Sequence, residues 1–274
     1  MVFSSAAFAC MYLIAKQLDH YGGYQLTFFR GLGTFVPALG YLLAKGISPV
    51  GNRPKLLSLR AVSGGVSLVL FFLAVPLVPI TAAVAIRYLA PLFAVVFTIW
   101  SLNERVRRIQ WLYFAIAFAG VVMLRGFDAR IGGLGLGLIL ASAVLGGVTL
   151  SMIRAIGTTE HPMVIVTWFT GCVTLLGALG VVFVSDAWTT PLGSDWIFFI
   201  AIGLFGLVGQ IFMTIAVQTS AASKVMPLKY LEAVFILIAS YYFLDETYGP
   251  WALLGIGLII FGIVANVSLK AQSE

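Results

Sequence analysis

The sequence predicts an all-α integral membrane protein of ten transmembrane helices, arranged as two inverted five-helix repeats. Three observations lead there. The first is composition: of 274 residues, 61% are hydrophobic and 9% charged, and the mean hydropathy is +1.06. A soluble chain of this size cannot enclose that much apolar surface in one core, whereas a polytopic helical protein uses lipid as its outer solvent. The second is a run of ten apolar stretches, each near the ~20 residues that cross a bilayer. The third is a segment that occurs twice. Arg87-Tyr88-Leu89, twelve residues, then Leu102-Asn103-Glu104 reads against Lys229-Tyr230-Leu231, twelve residues, then Leu244-Asp245-Glu246.

The first stretch, 2–18, starts almost at Met1. It has no basic n-region and no polar stretch after a cleavage site, so it reads as a retained helix rather than a signal peptide. Stretches 24–44 and 57–76 follow. The fourth, 80–102, is separated from the third by almost no polar spacer. Pro76 and Pro79 mark the break, because each removes a backbone donor and disfavours helix before it. Stretch 109–124 completes the first five. The second five are 131–155, 162–184, 196–219, 221–244 and 248–269, with Gln218-Thr219-Ser220 as the tight turn before the ninth. The 29 glycines and 21 phenylalanines suit packed membrane helices better than the short alternating strands of a barrel.

Lysine and arginine in short loops set the orientation. With the N-terminus inside, the inner side receives Lys45, Arg53, Lys55, Arg60, Arg105, Arg107, Arg108, Arg154, Lys224 and Lys270. The outer side receives Lys16, Arg125 and Arg130, together with Asp186, Asp195, Asp245 and Glu246. This bias places both termini in the cytoplasm and the protein in the cell (inner) membrane. The net charge of +6 then reflects cytoplasmic loops rather than nucleic-acid binding. Cys10 and Cys172 both lie in apolar segments and suggest neither a disulfide framework nor a metal site.

The repeat extends beyond the opening pair. Thr27-Phe28-Phe29-Arg30-Gly31 reads against Thr167-Trp168-Phe169-Thr170-Gly171, Thr34 against Thr174, and Ala38-Leu39-Gly40 against Ala178-Leu179-Gly180. Five helices is an odd number, so the two copies, 1–127 and 128–274, must sit upside down relative to each other, a common plan of secondary transporters.

These residues resemble the drug/metabolite transporter superfamily, in its EamA-type branch of two five-helix repeats, over essentially the whole chain. The parts that carry the resemblance are Arg30 early in the second helix, Tyr88-x-x-Pro91 with Glu104 ending the fourth, and Pro227, Tyr230 and Asp245-Glu246 in the ninth. The prolines do not align: Pro91 pairs with Ala233 and Pro227 with Ala85. The resemblance implies an alternating-access carrier with a central cavity lined mainly by the first, third, fourth, sixth, eighth and ninth helices. It implies little about cargo, since members move amino acids, nucleotide-linked compounds, cofactors and drugs.

Arg87 and Lys229 are the leading site candidates. Each lies about 10 Å into its helix at ~1.5 Å per residue, and the inverted repeat places them symmetrically about the midplane, where such carriers bind cargo. An intramembrane cation costs about 3 kcal/mol. Either both meet an anionic group in alternating states, or each is permanently paired or snorkels to an interface. Glu232 shares a helix face with Lys229: it neutralises that lysine, carries a coupling proton or contacts a substrate ammonium group. Arg30 is a binding candidate read first as a structural or gating arginine. Tyr88 and Tyr230 present ring and hydroxyl to the cavity or serve packing. Tyr12, Phe72, Trp168 and Phe212 are candidate aromatic walls, with packing as the commoner role of such residues. Gln210 is a buried amide for cargo or for another helix. Glu104, Asp245 and Glu246 end corresponding helices and act in gates or as solvated ends. Gly133-x-x-x-Gly137 and Gly203, Gly206 and Gly209 read as helix contacts, and the Gly255 and Gly262 face offers a dimer surface without requiring one.

Enzyme signals are absent. His20 and His161 fall in or beside loops on opposite faces, and there is no His-Glu-x-x-His, Walker sequence or serine elbow. No metal or cofactor is expected, and with no ATP-binding domain transport runs on cargo gradients or on proton or counter-substrate coupling. The function expected is secondary transport of a small amphiphilic metabolite, an amino acid or related zwitterion, with export favoured on resemblance. The alternatives are uptake or exchange of a larger anionic, nucleotide-like metabolite and, from another class, a passive channel or membrane sensor. The partners expected are a small-molecule substrate and the bilayer, with the chain a monomer or a homodimer.

Overall fold

Backbone amides facing lipid must be satisfied within the chain, and among the described residues all regular structure is helical. The structure, a computed structural model, describes residues 1–18, 20–74, 77, 86–103, 105–125, 133–184, 188–244 and 250–269. In order they form α1 (Val2–Lys16), α2 (Gly23–Ala44), α3 (Pro54–Ala74), α4 (Ala90–Leu102), α5 (Arg108–Arg125), α6 (Gly133–Ile156), α7 (Pro162–Phe183), α8 (Asp195–Thr219), α9 (Ala222–Val225), α10 (Leu231–Leu244) and α11 (Pro250–Ser268). Two 3₁₀ segments, Gly157–Thr159 and Met226–Tyr230, follow α6 and α9. Five of the described helices are long and apolar enough to cross a membrane, and three shorter ones are apolar.

The packing has an internal two-fold. α2 lies on α7, α3 on α6 and α7, α8 on α1 and α2, α4 on α6, α10 on α1, and α5 on α11. Exchanging the two five-helix units returns the same set of partners. The α2–α7 contact shows the inversion directly. Tyr24 lies against Gly180, Phe28 against Gly177, Thr174 against Gly31 and Phe35 against Gly171, so one number falls as the other rises. Gly31 and Gly171 occupy equivalent positions, and each receives a side chain from the opposite repeat.

Small and hydroxylated residues hold these contacts, as close helix packing in lipid requires. A Cβ on Gly203 would lie 2.7 Å from the Gly33 Cα, and Thr34 Oγ1 donates to the Gly203 carbonyl at 3.0 Å. Ser67 and Ser142 each donate to the other's carbonyl at 2.7 Å, and Ser63 and Thr149 pair at 2.9 Å.

Two sequence expectations change. The fourth and ninth spans are not continuous helices. Pro91 stands second in α4 and has no N–H for the Arg87 carbonyl, so the chain turns at Tyr88-Leu89, with Leu89 N–H bonded to the Ile86 carbonyl. In the ninth span Pro227 falls in the 3₁₀ segment between α9 and α10, and Ser5 Oγ on α1 donates to the Leu228 carbonyl. The prolines sit on opposite sides of the cation, yet both interrupt the helix at the Arg87-Tyr88 and Lys229-Tyr230 pairs. The second change is at Arg60, counted from the sequence among the inner-side cations at the start of the third stretch. Helix α3 starts at Pro54 rather than 57, the first-turn position that proline favours, and Arg60, further from the helix end, is fully buried.

Candidate functional site

The two interrupted spans meet at their breaks. Tyr88 and Tyr230 pack edge to face with ring centroids 6.0 Å apart. Beside them Lys229 Nζ forms an ion pair with Glu232 Oε2 and stands 4.2 Å above the ring of Phe8 on α1. Arg87 places its guanidinium 4.4 Å from the ring centre of Phe71 on α3. Arg30 on α2 lies within electrostatic range of Tyr12, Arg87 and Glu232, and its stem approaches Gly206 of α8, where a Cβ would meet it. Seven of the sequence candidates, Arg87, Tyr88, Lys229, Tyr230, Glu232, Arg30 and Tyr12, therefore converge between α1, α2, α8 and the two breaks.

The charges in this cluster do not balance. Glu232 is buried and pairs with Lys229, but neither Arg30 nor Arg87 makes a salt bridge among the described residues. Arg87 is held by an aromatic face, which attracts a cation. Tyr230 is fully buried and its hydroxyl has no hydrogen-bond partner. Among the described residues, three cations and one carboxylate meet here beside a buried hydroxyl without a hydrogen-bond partner.

The other candidates lie elsewhere. Gln210 accepts from Arg60 NH2 at 3.3 Å and so joins α8 to α3. Trp168 donates from Nε1 to the Pro49 carbonyl, tying α7 to the loop before α3. Phe212 is 41% exposed and packs on Phe3 at 5.6 Å; it belongs to the outer surface, not to the cluster. Glu104, Asp245, Glu246 and the side chain of Phe72 lie outside the described residues.

Polar links close both ends of the bundle. At the end holding loops 45–53 and 157–161, called here the basic face, Glu160 accepts from the backbone N–H groups of Asn52 and Arg53. Gln218 Nε2 donates to the carbonyls of Gly157 and Glu160, and Arg154 donates to the Gln218 carbonyl. At the opposite face Tyr21 donates to Asp195 at 2.6 Å, and Gln25 exchanges two hydrogen bonds with the Thr189 backbone. The hydrogen bond to the Asp195 carboxylate raises the Tyr21 phenol above its ordinary pKa.

Sequence reasoning missed Arg60, Phe8, Phe71 and Glu160. For Arg60 a signal existed. Arg60, Ser63, Gly64 and Ser67 fall on one face of the third stretch, a polar stripe that counting Arg60 among the inner-side cations hides. Phe8 and Phe71 carry no such mark, since a cation–π contact depends on which aromatic the fold brings near the charge.

Comparison with known proteins agrees with this architecture. The EamA-like transporter family matches residues 1–126 and 133–268. Solute carrier family 35 member G1 of Mus musculus is 28% identical over 271 residues, covering 93% of this chain and 73% of the relative. The pseudopaline exporter CntI of Pseudomonas aeruginosa is 26% identical over 269 residues, covering 96% and 93%. The S-adenosylmethionine uptake transporter of Rickettsia felis is 23% identical over 229 residues, covering 81% and 75%. A protein known from a crystal structure superposes with a TM-score of 0.85 at 19% identity, over 97% of this chain and 94% of that one, a likeness of fold.

Proposed function

We propose, because this chain belongs to the EamA-like transporter family, that it carries a small metabolite bearing a carboxylate, an amino acid or related zwitterion, by alternating access. That it is a multi-pass membrane transporter and not an enzyme follows from the family and from the named relatives. The reading goes further and assigns the anionic end of the cargo to Arg30, Arg87 and Lys229, its flanks to Tyr88 and Tyr230, and charge balance or a coupling proton to Glu232. The observation that supports it is the excess of cations at the two helix breaks, where neither Arg30 nor Arg87 makes a salt bridge among the described residues. An unpaired charge in an apolar interior is costly, and a cargo carboxylate relieves that cost with charge-assisted hydrogen bonds.

In this reading residues 1–127 and 128–274 are the two units that rock about the site, the protein lies in the cell (inner) membrane, and the basic face and both termini are cytoplasmic. Export remains the favoured direction, by resemblance. One relative is named for export and another for uptake, so their names do not choose it.

Counterflow in proteoliposomes tests the proposal. Preloading with unlabelled cargo should accelerate entry of label, which a passive channel or a sensor does not do. Arg87→Ala and Lys229→Ala should each abolish the acceleration for the best substrate of an amino-acid panel, and unchanged counterflow in both variants removes the site assignment. The same cation excess supports a second reading, exchange of a larger anionic, nucleotide-like metabolite; competition by nucleotides but not by amino acids would select it.

A further inference from the structure

Arg60 is among the largest fully buried side chains of the described residues, and the site above does not use it. It stands on α3 about 9 Å from the helix start at ~1.5 Å per residue. Its guanidinium lies 4.0 Å from the ring centre of Phe169 on α7, and NH2 donates to Gln210 Oε1 on α8. Nε and NH1 have no hydrogen-bond partner, and no carboxylate forms a salt bridge with Arg60 among the described residues. The space around it is specific: a Cβ on Gly64, one turn along, would meet Phe169 at 2.8 Å and Arg60 NH1 at 3.1 Å. Guanidinium stays charged at any ordinary pH, and burying such a charge unpaired costs several kcal/mol. A fold that buries the cation, stacks it on Phe169 and leaves two of its nitrogens without a partner has donors for an anion.

Its position relates it to the transport route. Gly206, Gln210, Thr214 and Gln218 recur every fourth residue of α8, so they follow one face of the helix, and all four are buried. Gly206 meets the Arg30 stem, Gln210 holds Arg60, and Gln218 belongs to the closure at the basic face. Between the last two, Thr214 has a buried hydroxyl with no partner. The face therefore leads from the central cluster to the basic end, with unused donors on Arg60 and Thr214 midway.

We propose that Arg60, with Gln210 and Thr214, forms a second anion-binding site on the basic-face half of the route, which takes the carboxylate of the cargo between the central cluster and the cytoplasm. The proposal rests on the carrier reading above. The cargo carboxylate accepts from Arg60 Nη1, on the edge away from Nε, and from the Thr214 hydroxyl, while Phe169 stacks on the guanidinium. Gln210 holds Arg60 in place.

The test is thermal unfolding of the full-length purified protein in sodium acetate, at ionic strength held constant with a bulky sulfonate buffer salt. Wild type and the Arg87→Ala/Lys229→Ala double variant should both show a saturable rise in melting temperature, because the second site remains. Arg60→Gln should weaken half-saturation by about tenfold, the scale of a lost charge-assisted pair. Thr214→Val, close in shape to the native residue, should weaken it several-fold. An acetate response in Arg60→Gln and Thr214→Val equal to wild type overturns the proposal; if Arg60→Gln does not fold, Thr214→Val alone decides. An Arg60-dependent rise with chloride and none with acetate also overturns it, since the site would then hold a resident inorganic ion. Counterflow lost in Arg87→Ala, with acetate binding unchanged in Thr214→Val, removes this site and leaves the carrier. An Arg60-dependent acetate response in a protein without counterflow leaves the anion site and removes its place on a transport route.

Discussion

Tyr88 and Tyr230, one from each repeat at equivalent positions, meet edge to face at 6.0 Å and 82° between ring planes, so the two helix breaks share one aromatic contact. The Tyr230 hydroxyl is buried without a partner. Removing an unsatisfied polar group does not destabilise. Tyr230→Phe should therefore keep or raise the melting temperature while raising the KM of counterflow several-fold. Tyr230→Ala, which empties the contact, should cost about 3–5 kcal/mol. A clear fall in melting temperature for Tyr230→Phe would show the hydroxyl to be structural and the prediction wrong.

The Lys229–Glu232 pair is little exposed, at 18% and 6% of the two side chains. Deleting one member strands the other charge, at about 3–5 kcal/mol. Lys229→Ala and Glu232→Ala should each lower the melting temperature more than the double variant does. Thermal unfolding of the four proteins closes the cycle; strictly additive losses would mean that the pair is not coupled.

Gly33 and Gly203 bring α2 and α8 into backbone contact, and a Cβ on Gly203 would lie 2.7 Å from the Gly33 Cα and 2.8 Å from its carbonyl carbon. Neither neighbour is a flexible side-chain tip, so the helices must separate, which costs about 1–3 kcal/mol. Gly203→Ala should lower the melting temperature accordingly. Gly137→Ala, where nothing lies within 4 Å, should leave it unchanged or raise it slightly through helix propensity. Equal effects of the two would refute the packing argument.

Tyr21 links the loop before α2 to Asp195 at the start of α8, and that bond raises the phenol's pKa. The link stabilises the neutral phenol, so its contribution is complete below the ordinary tyrosine value of about 10. It is lost as pH rises through the raised value. The melting temperature of wild type should exceed that of Tyr21→Phe by a constant margin between about pH 7 and 9, and the margin should vanish in stronger alkali. A margin that grows with alkali would have the wrong sign.

Much of the candidate cluster was legible in the chain. Arg87-Tyr88 and Lys229-Tyr230 stood out because a cation beside a tyrosine in an apolar stretch needs a reason, and their equal spacing to the acidic ends tied them together. Both pairs and Glu232 come together in the fold. Phe212 and Trp168 did not follow, because aromatic content alone does not say which way a membrane helix faces: Phe212 is half exposed beside Phe3 and Trp168 is tied to Pro49. Arg60 was misread because a cation near the start of an apolar stretch counts toward the loop charge, and only packing shows that it is buried.

The sequence by itself determined the class, the number of spans, the repeat and its inversion. Those depend on hydropathy, which the solvent reads residue by residue, and on the parity of five crossings. Only the tertiary structure decided where the spans break and which aromatic carries each cation. It alone showed that Arg60 enters the interior and which charges find a counter-charge there. These depend on contacts between helices far apart in the chain, and no local pattern of residues encodes them.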